Sequence, residues 1–348
     1  MNDRAHSPRQ QGVNRRVSLA LQGGGSHGAF TWGVLDRLLE DRRLEFDCVS
    51  GTSAGAMNGA VLCSGHSTDG REGARAALRR FWQEVGEWGR WSPIQRTPYE
   101  RLSGDWRIDD SPGFMLFDGL GRMLSPYQFN PMNINPLKLV LEKSIDFDAL
   151  RYAAGIHLFV CATNVRNGKV KVWENRDISL PVLLASSCLP GLFQAVEVDG
   201  EHYWDGGYMG NPAIWPVVYE SQSRDIVVVQ INPIHRQELP RTALEIQDRL
   251  NEITFNASLM REMRAIHFVN RLIEAGKLDP REYRSNRIHL IAADQSLTDL
   301  HASSKLNAEP DFLEHLFAIG RRTAEAWLER HFDALGRSST IDIPALYL

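Results

Sequence analysis

The chain has no run that approaches the roughly 20 apolar residues needed to cross a bilayer as a helix, so no integral membrane protein is expected, and only peripheral contact stays open. It has no excess of basic charge. Its 39 Lys and Arg against 43 Asp and Glu leave a formal net charge of -4, and short pairs such as Arg42-Arg43 and Arg79-Arg80 are scattered. No nucleic-acid partner is therefore expected. There are few cysteines. Cys48, Cys63, Cys161 and Cys188 stand far apart without CxxC spacing, and Cys48 and Cys161 lie in apolar runs where a thiol acts as a small hydrophobe. No HExxH pair and no EF-hand loop occurs, so no metal site is expected. Residues 1–15 are polar and lack the apolar core of a secretory signal; a disordered tail and a cytoplasmic location are the expectation.

What is present is an alternation of apolar strands and amphipathic helices. Val17 to Gln22, Phe46 to Ser50, Ile156 to Val165, Asp225 to Ile231 and Arg287 to Ala292 read as strands, and Asn167-Gly168 turns the third of these into a hairpin with Lys169 to Trp173. Helices are expected at Gly28 to Leu39, with Asp36, Arg37 and Glu40 facing out, and at Gly70 to Trp88, Pro181 to Cys188, Leu244 to Leu272 and Pro310 to Leu335. In the helix of residues 244–272, Ile246, Leu250, Ile253, Met260, Met263 and Val269 form an apolar stripe expected in the core. Such alternation predicts an α/β fold, a mainly parallel sheet sandwiched between helices in three layers, with a mostly helical C-terminal extension over 236–348. The Pro-, Gly- and aromatic-rich segment 88–136 is long enough to be a lid or binding wall.

The stretch VSLALQGGGSHGAF, residues 17–30, sends a strand into glycines and then a helix. Gly23, Gly25 and Gly28 satisfy Gly-x-Gly-x-x-Gly, the dinucleotide fingerprint, yet the same loop suits an oxyanion, because free N–H groups at a helix start favour negative charge. The next strand discriminates. A dinucleotide fold needs an acid at its tip, and here the tip is Gly51-Thr52-Ser53-Ala54-Gly55. Gly-x-Ser-x-Gly after a strand is a nucleophile elbow, in which glycines relieve a turn that pushes the serine hydroxyl into a cleft. A serine needs a base. Of the downstream histidines only His235 follows a strand at its functional end. Asp205, between Trp204 and Gly206-Gly207, offers a carboxylate in apolar surroundings whose pKa would be raised toward proton-transfer range.

Together, Gly23-Gly24-Gly25-Ser26-His27-Gly28, Gly51-Thr52-Ser53-Ala54-Gly55 and Asp205-Gly206-Gly207 resemble, in kind and order, the patatin-like phospholipases. The resemblance covers about residues 16–235 and includes the stretch 185–207 ahead of the acid and Asn211-Pro212 after it. It implies a catalytic domain over 16–235, a serine lipid acyl hydrolase of phospholipase A or lysophospholipase type. Ser53 would be its nucleophile and Asp205 its general base, with an oxyanion hole at Gly23, Gly24, Gly25 and Gly28 and no cofactor. Gly51, Gly55, Gly206 and Gly207 would support the motifs. His27 departs from the pattern, since relatives often carry Arg or Lys there. The implied partners are a lipid or acyl ester and, peripherally, a membrane, lipid-droplet or granule surface; a homo-oligomer is left open. Competing readings are a nucleotide-binding oxidoreductase or regulatory module using the glycine loop, and a silent lipid-binding scaffold.

Overall fold

The structure, a computed structural model, describes residues 14–152, 155–293, 297, 300 and 302–348. Most of the expected polar tail lies outside the described residues. β1 (Arg15–Leu21), β2 (Leu44–Gly51), β3 (His157–Asn164), β4 (Val170–Glu174), β5 (Val196–Val198), β6 (Glu201–Asp205), β7 (Asp225–Gln230) and β8 (Arg287–Ala292) build one sheet among the described residues. Its order is β5-β6-β3-β2-β1-β7-β8, with β4 pairing β3 off this path. β3, β2, β1, β7 and β8 are mutually parallel, while β4, β5 and β6 add antiparallel pairs.

Because side chains alternate along a strand, each inner strand feeds two cores. Val17, Leu19 and Leu21 of β1 and Val227 and Val229 of β7 enter the core of one face, and Ala20, Ile226 and Val228 that of the other. The first face is covered by α1 (Gly28–Glu40), α2 (Ala54–Arg90) and a late helix (Pro310–His331). The second is covered by three further helices, Trp215–Glu220, Ala243–Glu274 and Ile343–Tyr347. The three-layer α/β architecture read from the alternation is the one observed. α2 bends at Asp69-Gly70, where Gly70 has φ 55°, so the helix expected to begin at Gly70 is the second limb of a longer one.

Between α2 and β3 the chain forms α3 (Pro98–Ser103), α4 (Pro112–Met123), α5 (Pro126–Phe129), α6 (Pro136–Ser144) and α7 (Phe147–Arg151). α3, α4, α5 and α6 each start with proline, whose missing N–H costs nothing at a first helical turn. After β4 come α8 (Leu180–Ser186), α9 (Trp215–Glu220), α10 (Ala243–Glu274), α11 (Pro310–His331) and α12 (Ile343–Tyr347).

The residues after 235 are structurally part of the same body. β8 extends the sheet beside β7, and α11 lies directly on α1. Those two helices meet backbone to backbone: a Cβ on Gly33 would fall on the Phe317 carbonyl oxygen, and one on Gly320 on the Phe30 carbonyl oxygen. Docking of α11 also overturns an expectation. Asp36, read as outward-facing, is 3% exposed and is held by Arg75 of α2 at 3.0 Å and by Arg321 of α11. The polar side of α1 is thus covered by arginines that neutralise it. The stripe expected on α10 is overturned in its first half: Ile246, Leu250 and Ile253 are exposed, and Glu252, Phe255, Asn256 and Leu259 face inward instead. The reason is polar, since that half of α10 binds loops rather than the sheet.

Gly320→Val should cost on the order of 3 kcal/mol or more, because a branched side chain at a backbone contact forces α11 off α1. Urea unfolding of the two proteins would measure it.

Candidate active site

Strand register brings the two sequence-predicted reactive side chains together. Gly51, the last residue of β2, pairs with Val160 of β3, and there the chain leaves the sheet at Thr52-Ser53. From Ala162 onward the vacated edge of β3 is taken by β6, which runs the opposite way and ends with Asp205 opposite Ala162. β4 occupies β3's other edge over 159–163. β2 and β6 therefore point their C-terminal ends at each other, and Ser53 and Asp205 stand at the junction.

The elbow depends on missing side chains. Ser53 has φ 53°, a left-handed conformation that a residue with a Cβ adopts only under constraint. A Cβ on Gly51 would fall on the Gly55 carbonyl oxygen, and one on Gly55 on the Leu21 carbonyl oxygen. The first turn of α2 can therefore press against the end of β1. Gly206 and Gly207 do the same for the acid: a Cβ on the former would meet the Cys161 carbonyl, and on the latter the Phe255 ring.

The segment between α8 and β6 touches both groups. Ser186 Oγ accepts the Ser53 N–H at 2.9 Å, and the Cys188 carbonyl accepts the Asp205 N–H at 2.7 Å. Asp205 is fully buried, and its Oδ1 accepts from Gly207 N–H at 2.7 Å. Burial pushes its pKa up to about 7, with the Gly207 N–H, the Ser53 hydroxyl and the more distant Lys305 ammonium opposing the rise. Asp205 Oδ2 has no hydrogen-bond partner. Ser53 is near enough for its hydroxyl to lower the acid's pKa, while Oδ2 stays unpartnered.

The four glycines of the first loop divide by what their N–H groups do. Gly23 N–H donates to Asn211 Oδ1 at 2.7 Å, and Gly28 N–H to the Gly25 and Ser26 carbonyls. Both are also close-approach positions, since a Cβ on Gly23 would be 2.7 Å from Ser53 Cβ and one on Gly28 2.7 Å from Ala54 Cβ. Among the described residues the N–H groups of Gly24 and Gly25 have no acceptor. They lie just ahead of α1, where the helix dipole adds partial positive charge.

Sequence reasoning missed the amides that hold this loop. Gln22 Oε1 accepts from the Ile231 and Asn232 backbones at 3.0 and 2.9 Å, and Gln22 Nε2 donates to Asn256 Oδ1 at 3.1 Å. Asn211 Nδ2 reaches the Phe255 carbonyl at 3.2 Å, and Ser258 Oγ accepts the Asn211 N–H at 2.9 Å. Asn232 Nδ2 donates to the Gly23 carbonyl at 2.7 Å. Thus β1, β7, the Asn211 turn and α10 are tied into one buried network. Gln22 and Asn211 lay within motif stretches singled out in the sequence, but neither was read as holding the loop, and Asn232 and Asn256 lay in no motif. His235, by contrast, is exposed in the loop after β7, and His289 is buried on Asp225 at 2.9 Å. His27 is also buried, on Ser304 at 2.8 Å, and burial with nearby Lys305 and Arg236 pulls its pKa down to about 3. A cavity of about 890 Å³ between residues 236–242 and the start of α10 includes neither Ser53 nor Asp205 in its lining.

A family profile described as Patatin-like phospholipase matches residues 19–218, more than half the chain and inclusive of all three motifs. The chain belongs to the patatin-like phospholipase family. A curated relative, the uncharacterized protein YjjU of Escherichia coli K12, is 26% identical over 196 residues, which are 55% of this chain and 45% of the relative. The chain thus matches less than half that relative's length. Among solved structures, VipD from Legionella pneumophila aligns at TM-score 0.37 and 17% identity over 88% of this chain and 67% of that one. The ExoU–SpcU complex of Pseudomonas aeruginosa aligns at TM-score 0.39 and 15% identity, over 92% of this chain and 52% of the matched one.

Burial of Asp205 has a consequence for stability. Between pH about 4, where the unfolded carboxyl ionises, and about 7, where the native one does, the native state holds the extra proton, so this group's contribution falls as pH rises. Asp205→Asn keeps an acceptor for Gly207 and removes the buried charge. Its melting temperature should exceed that of the unchanged protein at pH 8 by roughly 3 °C or more, and the gap should shrink toward pH 4, as calorimetry can follow.

Proposed function

We propose that the protein is a serine lipid acyl hydrolase, of phospholipase A or lysophospholipase type, working through a Ser53–Asp205 dyad and an acyl-enzyme. The observation that carries this reading is the head-to-head arrangement of β2 and β6, which sets the serine beside a buried carboxylate with one unpartnered oxygen. Asp205 takes the Ser53 proton as Oγ bonds to the ester carbonyl carbon, and the carbonyl π pair moves onto oxygen. Gly24 and Gly25 N–H groups face that oxyanion. As the intermediate collapses, the alcohol leaves with the proton, and water deacylates Ser53 by the same route in reverse. A base held near pH 7 suits this work, since it is ionised often enough to accept and acidic enough to return the proton.

A lipid surface as partner is supported by the segment between α2 and β3. Trp91, Leu102, Met115, Leu116, Met123 and Met132 are all more than half exposed, an unusual density of large apolar side chains. The same segment lies on the turn linking Ser186 and Cys188 to β5: Gln194 Nε2 donates to the Asn130 carbonyl at 2.9 Å and Ala195 N–H to Tyr127 Oη at 3.3 Å. Ser53 is only 7% exposed, so entry of an acyl chain requires some segment around it to shift; α4 and α5, which lie on the turn leading from Ser186 and Cys188, are the elements we propose to move, and a membrane that solvates their apolar faces would favour the shift.

A fluorophosphonate probe should label the protein and fail on Ser53→Ala. Ester cleavage, followed by mass spectrometry of a whole-lipid extract, should drop at least about a thousandfold in Ser53→Ala and in Asp205→Asn; turnover persisting in either variant would refute the dyad. kcat/KM should rise about tenfold per pH unit below pH about 7 and level off above it, since the base must be ionised. Replacing Met115, Leu116 and Met123 together with serine should weaken sedimentation with phospholipid vesicles at least about tenfold, while hydrolysis of a short soluble ester stays within about twofold.

A further inference from the structure

The oxyanion loop is gripped by a segment from the far end of the chain. In the short 3-10 helix Ala302–Leu306, Ser304 Oγ bonds His27 Nε2 at 2.8 Å. The Lys305 carbonyl lies so close to Gly25, at φ 58°, that a Cβ there would overlap its oxygen. Lys305 Nζ turns back and donates to Asn232 Oδ1 at 2.8 Å, and Asn232 Nδ2 donates to the Gly23 carbonyl at 2.7 Å. One residue thus touches both ends of the loop, by its main chain at Gly25 and through an asparagine at Gly23.

We propose that Lys305 is a positioning residue of the ester-cleaving site, holding the glycine loop in its donor geometry and placing a fixed positive charge on the oxyanion side of the dyad. This rests on the hydrolase reading above.

The argument is one of charge displacement. Before attack the negative charge is on Asp205; once the Ser53 proton has moved to Asp205 and Oγ has bonded to carbon, it is on the former carbonyl oxygen at the glycine loop. No net charge appears, so a cation accelerates the step only if it stands nearer the loop than the acid. We take Lys305 Nζ to meet that condition, because its hydrogen bond to Asn232, which itself holds the Gly23 carbonyl, ties it to the loop. Nearby groups leave it this role. His27 is neutral, with its pKa pulled down to about 3. Arg236 pairs with Glu252, which also takes Arg249. The titratable groups around Asp205 from β3, from the turn after α8 and from the turn after β6 are Cys161, Cys188 and Tyr208, each pushed up to about 12 by burial and uncharged at working pH. Around Lys305 itself, burial lowers its pKa and the Arg236 charge adds to that, while the Glu252, Asp248 and Asp205 carboxylates oppose it. The Phe255 ring, centred 5.7 Å from Nζ, shields the ammonium on the side of Gly207.

The test compares the full chain with Lys305→Met and Lys305→Arg. It measures kcat and KM on p-nitrophenyl butyrate across pH, thermal melts, and the titration of Asp205 by carboxyl carbon NMR, assigned with Asp205→Asn. Lys305→Met should lower kcat about 30-fold with KM within about threefold, and should move the Asp205 midpoint upward; Lys305→Arg should restore most of kcat and the midpoint. Should Lys305→Met not fold, Lys305→Gln, which keeps a donor for Asn232, replaces it with the same expectations. A kcat within about twofold of the unchanged protein and an unmoved Asp205 midpoint would overturn the proposal. Equal losses in the Met and Arg variants would also overturn it, since they would mark a packing role alone. If the unchanged protein cleaves no ester, the hydrolase reading fails, and the Asp205 midpoint then decides Lys305 by itself: an upward move supports the fixed charge, and none removes it.

Discussion

Everything in the site depends on one edge of β3. That edge is hydrogen-bonded by β2 up to Gly51 and by β6 up to Asp205, so two strands of opposite direction end at the same place. A strand end is where backbone leaves the regular ladder and a side chain can be held against another without a sheet residue between them. The serine needs a turn tight enough to stay there, which is why Gly51 and Gly55 carry no side chain. The acid needs a partner for its own backbone, which β3 supplies at Ala162 and Thr163, whose Oγ1 donates to the Asp205 carbonyl at 2.9 Å.

The electrostatic state of the site follows from that placement. A carboxylate at a junction inside the protein loses water on all sides, and the resulting rise in its pKa is opposed by a single backbone donor, a serine hydroxyl and a distant ammonium. Burial thus brings Asp205 to titrate near neutral pH, which is what the base of the proposed dyad would need. The same burial destabilises the native state once the group ionises, a tension common where a functional group is held against its solvation. The buried cysteines around it stay protonated and act as packing, consistent with their apolar setting in the sequence.

The residues after 235 are not an appendage. α11 covers α1 with its glycine against the other's backbone, β8 lengthens the sheet, and α10 turns polar side chains toward the loops of the site. Asn256 and Ser258 complete hydrogen bonds that Gln22 and Asn211 would otherwise leave open inside the protein, where an unmet polar group costs roughly 1–3 kcal/mol. The first half of α10 is therefore polar on its inner side and leaves Ile246, Leu250 and Ile253 outside, the reverse of the pattern that periodicity suggests.

How far the sequence reached is set by how local each determinant is. The parallel strands and the β3–β4 hairpin, their two-sided burial, the elbow and the Asp-Gly-Gly turn were legible because each is written in consecutive residues, whereas the short strands β5 and β6 that deliver Asp205 were not read from the sequence. The three-layer class followed from the order of those elements, and the pairing proposed for Ser53 and Asp205 from motif chemistry. What the sequence left undetermined involves residues far apart in the chain whose types carry no pattern. Gln22, Asn232 and Asn256 are ordinary amides until the fold closes them on one another; Asp36 looks solvent-facing until Arg75 and Arg321 arrive from two other helices; Gly23 and Gly28 look like oxyanion donors until Asn211 and the loop's own carbonyls accept hydrogen bonds from their N–H groups. Local geometry is fixed by steric clashes within a few residues, and one chain suffices to read it. Which donors remain free, and which charges are neutralised, depends on what tertiary packing brings alongside.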